Sequence, residues 1–218
     1  MFLTVALAKV IPAAAEAALR TMIYALRFAL VTAVASFANL ASAQDLEYVR
    51  AVERAQQLRP SALAAAARIA PLGEPGTPMT LHGRVVRPDG NPASDTIVFA
   101  YHTDRDGLYD RPAAGEHSWR LKGWVKADRD GRFTFETIRP GPYPGRRVPA
   151  HVHFTVFLPN GERFHAGEAK FDDDPLLSQG DRADAKRADD FGEVHPVRRE
   201  GNVEHVQLTL RIDPAQRF

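Results

Sequence analysis

Cysteine is absent from the 218 residues. That excludes disulfides, iron–sulfur clusters, thiolate zinc sites and a lipid anchor on cysteine. Only three Met supply sulfur, so a metal site must use His, carboxylate or Tyr. An excess of charge is also missing. The 28 Lys and Arg nearly balance 27 Asp and Glu, for a formal net charge of +1. Neither a nucleic-acid surface nor an acidic tail is indicated. There is no internal repeat, no Ser/His/Asp motif, no phosphate loop and no GxGxxG fingerprint. What remains is ordinary globular composition, 44% hydrophobic and 25% charged, long enough for one well-buried domain.

A long apolar run occurs only near the N-terminus. Residues Phe28 to Gln44 carry no charge, Arg27 precedes them, and Ala41-Ser42-Ala43 fits the small-x-small cleavage pattern. Residues 1–43 therefore read as an export signal, with the mature chain starting near Gln44. Met22 offers a second start, which would make residues 1–21 an over-extended gene start. The competing reading is a retained anchor, for which the run is short beside the roughly 20 residues a spanning helix needs. With cleavage no stable membrane anchor is left, and either reading puts the domain in the periplasm or outside the cell.

Residues 44–79 read as a helical segment and linker. Asp45 can cap a helix running to Ile69, with Leu46, Val49, Val52 and Leu58 on one stripe and an Ala-rich end. Pro60 would split it in two, and the Pro- and Gly-rich stretch 71–78 would be a loop. From Thr80 to Phe218 the texture is β. Strands are expected at 81–86, 95–102, 119–127, 132–138, 151–158 and 205–212, with hairpin-type turns at Asp89-Gly90 and Asp130-Gly131. This spacing predicts a β-sandwich domain over 80–218. The polar stretch 172–190 reads as a surface loop, with Asp172-Asp173-Asp174 solvated.

His151-Val152-His153 lies in a β-prone run, where alternation puts both imidazoles on one face. Such a pair can chelate a metal or simply be packed. Gly141-Pro142-Tyr143-Pro144 holds a tyrosine in a rigid backbone, and Asp106-Gly107-Leu108-Tyr109 places another after a turn. Taken alone, each tyrosine reads better as part of a structural turn. Together, phenolate and imidazole form a hard-to-borderline donor set suited to Fe(III). The other histidines, His82, His102, His117, His165, His195 and His205, show no paired spacing. Asp104-Arg105-Asp106-Gly107 and Asp128-Arg129-Asp130-Gly131 lack the remaining ligands of a calcium loop and read as turns. Trp119 and Trp124 suit sandwich-core packing or the wall of an aromatic pocket.

Lys122-Gly123, Ala127-Asp128, Gly131, Phe133, Phe135, Thr137-Ile138, Pro140-Gly141, Tyr143-Pro144 and Pro149-Ala150-His151-Val152-His153-Phe154 follow one another in order. This string resembles the core of the intradiol ring-cleavage dioxygenases, and the likeness extends from about Thr80 to Asp174. The resemblance implies a mainly β fold, a sandwich of the intradiol dioxygenase type behind a short N-terminal helical segment. It implies Fe(3+) held by Tyr109, Tyr143, His151 and His153. It also implies a small aromatic diol of the catechol type and O2 as substrates, with the ring opened between the hydroxylated carbons. Tyr143 would leave the metal when substrate binds and accept a substrate proton, while Tyr109 stays bound. The chain departs from the family pattern at two places. Val148 stands where the family carries Arg, with Arg146 and Arg147 just before it, and Arg147 is the candidate for the missing catalytic cation. Gly167 and Glu168 stand near a position that is often Gln. These departures keep open a non-catalytic sandwich module, or other oxidase chemistry in the same ligands. The N-terminal helices would either pair two copies into a homodimer or cap the domain.

Overall fold

In the computed structural model, residues 48–109 and 119–218 are described, and residues 1–43, expected from the sequence to be an export signal, lie outside them. Residues 51–218 form one compact unit. Residues 48–57 are helical and are named α1; residues 51–57 of it open this unit. The helix stops short of Pro60, whose ring and missing N–H bar a further turn.

The helix expected to resume after Pro60 does not form. Ala66–Arg68 is instead a strand, β1. The Ala64 carbonyl accepts from Lys126 N–H at 2.9 Å, and the Ala65 carbonyl accepts from Thr134 N–H at 2.8 Å. Unpaired backbone at the sandwich edge outweighs the helix preference of alanine. The strands β2 (Pro78–Val86), β3 (Ile97–His102), β4 (Leu121–Lys126), β5 (Arg132–Ile138) and β6 (His151–Phe157) lie close to their expected positions. Sequence reading misses β7 (Arg163–Phe171), the short β8 (Val194–His195) and β9 (Val197–Glu200), whereas β10 (Val203–Arg211) was expected. It also misses α2 (Gln179–Ala188), inside the stretch expected to be loop. The signal for α2 was present: Ser178 accepts from the Asp181 N–H and Asp181 reaches back to Ser178, the reciprocal cap of an S-x-x-D start. It was masked because α2 buries no residue and so has no apolar stripe.

The strands form two five-stranded sheets, ordered β1-β5-β2-β10-β9 and β4-β3-β6-β7-β8. Both are mixed. β1 runs parallel to β5, β2 to β10, and β7 to β8. The Asp128–Gly131 turn was expected to close a hairpin. It instead carries the chain from β4 in one sheet to β5 in the other. Asp128 carboxylate oxygen accepts the N–H groups of Asp130 and Arg132, which sharpens the turn.

Met79, Leu81, Phe133, Phe135, Leu208 and Leu210 of the first sheet meet Val98, Ala100, Leu121, Val152, Phe154 and Val156 of the second. Strand alternation then sends His151 and His153 to the outer face of the second sheet. Neither tryptophan is part of the inter-sheet core. Trp119 and Trp124 lie against Phe99 at ring-centroid distances of 5.7 and 5.1 Å, in an aromatic layer on that outer face.

Asp172–Asp174 is not a solvated loop. Asp174 is buried and its carboxylate accepts from Ala150 N–H at 2.8 Å and Leu176 N–H at 2.8 Å. Asp173 pairs with Arg139 at 2.6 Å and Arg199 at 2.6 Å, and Asp172 accepts from Val197 N–H at 3.1 Å. The bond to Ala150 pins the backbone directly before His151.

Candidate metal centre

Tyr109 and Tyr143 sit on two loops that are locked together. The Asp104 carboxylate accepts from Asp106 and Leu108 N–H, each at 3.0 Å, and this folds the loop leading to Tyr109. Thr103 hydroxyl donates to the Gly141 carbonyl at 2.7 Å, and Gly141 N–H donates to the Asp104 carbonyl at 2.8 Å. At Gly107, with φ of 82°, a Cβ would overlap the Pro142 carbonyl. Glycine is required there both for the backbone angle and for the close approach. Behind the loop, Arg120 makes a two-pronged pair with Glu74 at 2.7 and 2.8 Å and lies 3.7 Å from Asp104. The Arg120 N–H also donates to the Tyr109 carbonyl at 3.2 Å.

His151 and His153 project from β6. The ring nitrogen Nδ1 of His151 donates to the Pro149 carbonyl at 2.7 Å, which leaves Nε2 as the free lone pair. His153 is sandwiched differently: its ring stacks on Tyr101 at 4.7 Å and 17°, and Tyr101 in turn stacks on Trp119 at 3.7 Å and 15°. Tyr101 lies directly opposite His153 in the β3–β6 register. No motif marked it, because an outward aromatic in a β-prone run reads as a core residue.

The four side chains converge. His151 Nε2 and His153 Nε2 are 3.0 Å apart. Tyr109 hydroxyl lies 2.9 Å from His153 Nε2, and Tyr143 hydroxyl lies 3.1 Å from His151 Nε2 and 3.4 Å from His153 Nε2. The two hydroxyls are hydrogen-bonded to each other. Metal–ligand bonds of about 2 Å place donors about 3 Å apart, so this set can hold one ion.

Burial pushes the Tyr143 phenol up from its usual 10.0; the Tyr109 hydroxyl and the Arg146 charge pull it down, and Glu168 pushes it up. Burial, and then the neighbouring His151, lower His153 to about 3, so its nitrogen stays available at neutral pH. Arg147 is exposed and has no hydrogen bond or ion pair among the described residues. It is not part of the converging cluster. Glu168, noted in the sequence only as a departure, lies with Oε1 3.3 Å from His153 Nδ1 and 3.9 Å from His151 Nε2. A β-bulge puts it there. His153 pairs with Glu168 but Thr155 pairs with His165, so Phe154 faces two residues, Ala166 and Gly167. Gly167 has φ of 79°.

Residues 61–209 match the family model described as Dioxygenase. Catechol 1,2-dioxygenase 1 of Acinetobacter lwoffii is 29% identical over 123 residues, 48% of this chain and 39% of that protein. The 6-chlorohydroxyquinol 1,2-dioxygenase of Cupriavidus pinatubonensis is 32% identical over 126 residues, 48% of this chain and 46% of that protein. The chain thus spans less than half the length of these two curated relatives. Among solved structures, the dioxygenase domain of a dioxygenase–carbohydrate-binding protein fusion from Streptomyces sp. SirexAA-E superposes with a TM-score of 0.53 at 23% identity, covering 71% of this chain and 91% of that one. Catechol 1,2-dioxygenase from Pseudomonas arvilla C-1 gives 0.53 at 17% identity, covering 79% and 70%. These two likenesses are of fold alone. The ordered motif, the two mixed sheets and the family match over well more than half of the chain lead to one conclusion: the chain belongs to the intradiol ring-cleavage dioxygenases, a family of oxidoreductases.

Proposed function

We propose that this protein is an exported non-haem ferric dioxygenase that opens an ortho-diphenol ring between its two hydroxylated carbons with O2. The observation that carries the reading is the convergence of two phenols and two imidazoles about 3 Å apart. Tyr109, Tyr143, His151 and His153 would hold Fe(III), which when bound supplies Lewis acidity and a template for the diol.

The chain's own residues divide the remaining work. Tyr109 is held by the Asp104 turn and the Arg120 neck, so it suits a permanent ligand. Tyr143 stands in the Pro- and Gly-rich turn 141–145, which is largely exposed, and is the better candidate for release. Burial favours its protonated form, so once released it can keep a proton taken from the substrate hydroxyl. His151 is oriented by the Pro149 carbonyl and His153 by the Tyr101 stack. Arg147 is exposed and has no partner among the described residues, and we assign it to offset charge that develops on the substrate.

Export rests on the apolar run and the Ala-Ser-Ala site; N-terminal sequencing of protein recovered outside the cytoplasm should start at Gln44. Val148, in place of Arg, supports a second reading, a domain that keeps the site without turnover. One absorption experiment separates the two. Iron-loaded protein should show the intense visible band of phenolate on Fe(III). Adding catechol under air should shift the band, then yield a ring-opened dicarboxylic acid. A stable shifted band without product would favour the second reading. A colourless protein that holds no iron would overturn the site.

A further inference from the structure

Glu168 is absent from the four-donor set, yet its position is built. We infer that Glu168 is a fifth protein donor, completing with His151 and His153 a two-imidazole, one-carboxylate site that captures a divalent cation such as Fe(II) without help from the phenols. The inference rests on the metal-centre reading above.

Among the described residues, His151, His153 and Glu168 are the one group of three His or carboxylate side chains whose donor atoms all lie within 4.8 Å of one another. For bonds of about 2 Å, two donors on one ion stand about 3 Å apart at right angles and about 4 Å apart when opposed. The 3.9 Å between Glu168 Oε1 and His151 Nε2 falls inside that span. Two imidazoles and one carboxylate form a hard-to-borderline set that suits divalent iron and leaves positions open for other ligands.

The carboxylate is aimed from behind. Its second oxygen, Oε2, faces Lys170 Nζ at 3.7 Å. Lys170 is itself held by Asp181 at 3.2 Å and Glu193 at 3.1 Å. The Glu193 carboxylate also accepts the Glu168 N–H at 3.1 Å. One ammonium is therefore shared by three carboxylates, so it orients Glu168 without neutralising it. Oε1 is left toward the histidines. An amide at this place could offer an oxygen but no charge to match a cation.

The test is a Co(II) titration, read from the visible bands of the bound ion. It uses the full mature chain carrying Tyr109→Phe and Tyr143→Phe, with and without Glu168→Gln. Because a carboxylate could also act only by orienting His153, the comparison is repeated in a His153→Ala background. Gln keeps the size of Glu, and the thermal midpoint of each apoprotein checks that the fold persists. Glu168→Gln should weaken Co(II) by at least about tenfold in both backgrounds, since a direct donor does not need His153 to be felt. An effect that vanishes in the His153→Ala background would make Glu168 a positioning residue and overturn the inference. No effect in either background would overturn it too. Failure of the phenol-free chain to bind Co(II), with the wild type still giving the ferric colour, would overturn this inference while the proposed function stands. Loss of both signals in the wild type would bring down the proposed function.

Discussion

Single residues decide how firmly the two tyrosines meet the two histidines. Gly107 is the tightest point. Alanine there meets both a positive φ and the Pro142 carbonyl, so the loops of Tyr109 and Tyr143 must part. Gly107→Ala should cost about 1–3 kcal/mol in unfolding free energy from backbone strain. It should also weaken iron binding and its visible band more than it lowers the melting temperature; an unchanged band would mean the loops tolerate separation. Arg147 makes a contrasting case, since it lies outside the donor cluster. Arg147→Met should leave the ferric band in place and lower kcat by about 100-fold, the scale of losing one preorganised charge stabiliser. Equal kcat in wild type and variant would remove Arg147 from the mechanism and turn attention to Arg146, whose charge already reaches Tyr143.

At the scale of elements, the bulge in β7 matters most. Phe164, Ala169 and Phe171 face the core, and the odd spacing between Phe164 and Ala169 breaks the alternation that marks a strand. That break hid β7 in the sequence. The same extra residue puts Glu168 on the face of His153 while keeping Phe164 inside. Deleting Ala166 would restore strict alternation and reverse one half of the strand. Either Phe164 leaves the core, or Ala169 and Phe171 do, with a loss of at least about 2 kcal/mol of burial. Urea unfolding should show that loss, and an unchanged midpoint would deny the bulge its role in register. The Tyr101–His153 pairing follows the same logic from the other neighbour, β3: a cross-strand partner is set by register, which no local pattern displays.

For the whole molecule, several histidines are buried in neutral form. His102 donates from Nδ1 to the Thr103 carbonyl at 2.6 Å and is met at Nε2 by the Thr137 hydroxyl at 2.6 Å. Burial lowers it from 6.5 to about 4. Burial also lowers His195 to about 4. The unfolded chain takes up these protons first, so stability is complete above about 6.5 and falls as pH drops toward about 4. Each such residue adds a slope of up to about 1.4 kcal/mol per pH unit in that window. Metal-free protein should therefore lose denaturant resistance between pH 7 and pH 4. His102→Gln, though less stable at pH 7, should show a shallower decline; an equal slope would place the proton uptake elsewhere. His82 and His205 show no paired spacing in the sequence, yet parallel β2 and β10 stack their rings at 5.5 Å. Their sequence separation made that pairing invisible.

What the sequence by itself determined was the family and the sandwich, because both are carried by an ordered string of short Pro, Gly and alternating β motifs whose conformation is local; through the family likeness it also named the four residues whose side chains the structure brings together. Helix α2 was within its reach through the Ser178 cap. The tertiary structure alone decided that the Ala-rich stretch became an edge strand, that the Asp128–Gly131 turn changed sheets, that Asp174 was buried beneath the histidine strand, and that Glu168 came to face the imidazoles. Each of those depends on backbone groups finding partners far along the chain, and a hydrogen-bond register between distant strands has no signature in local order.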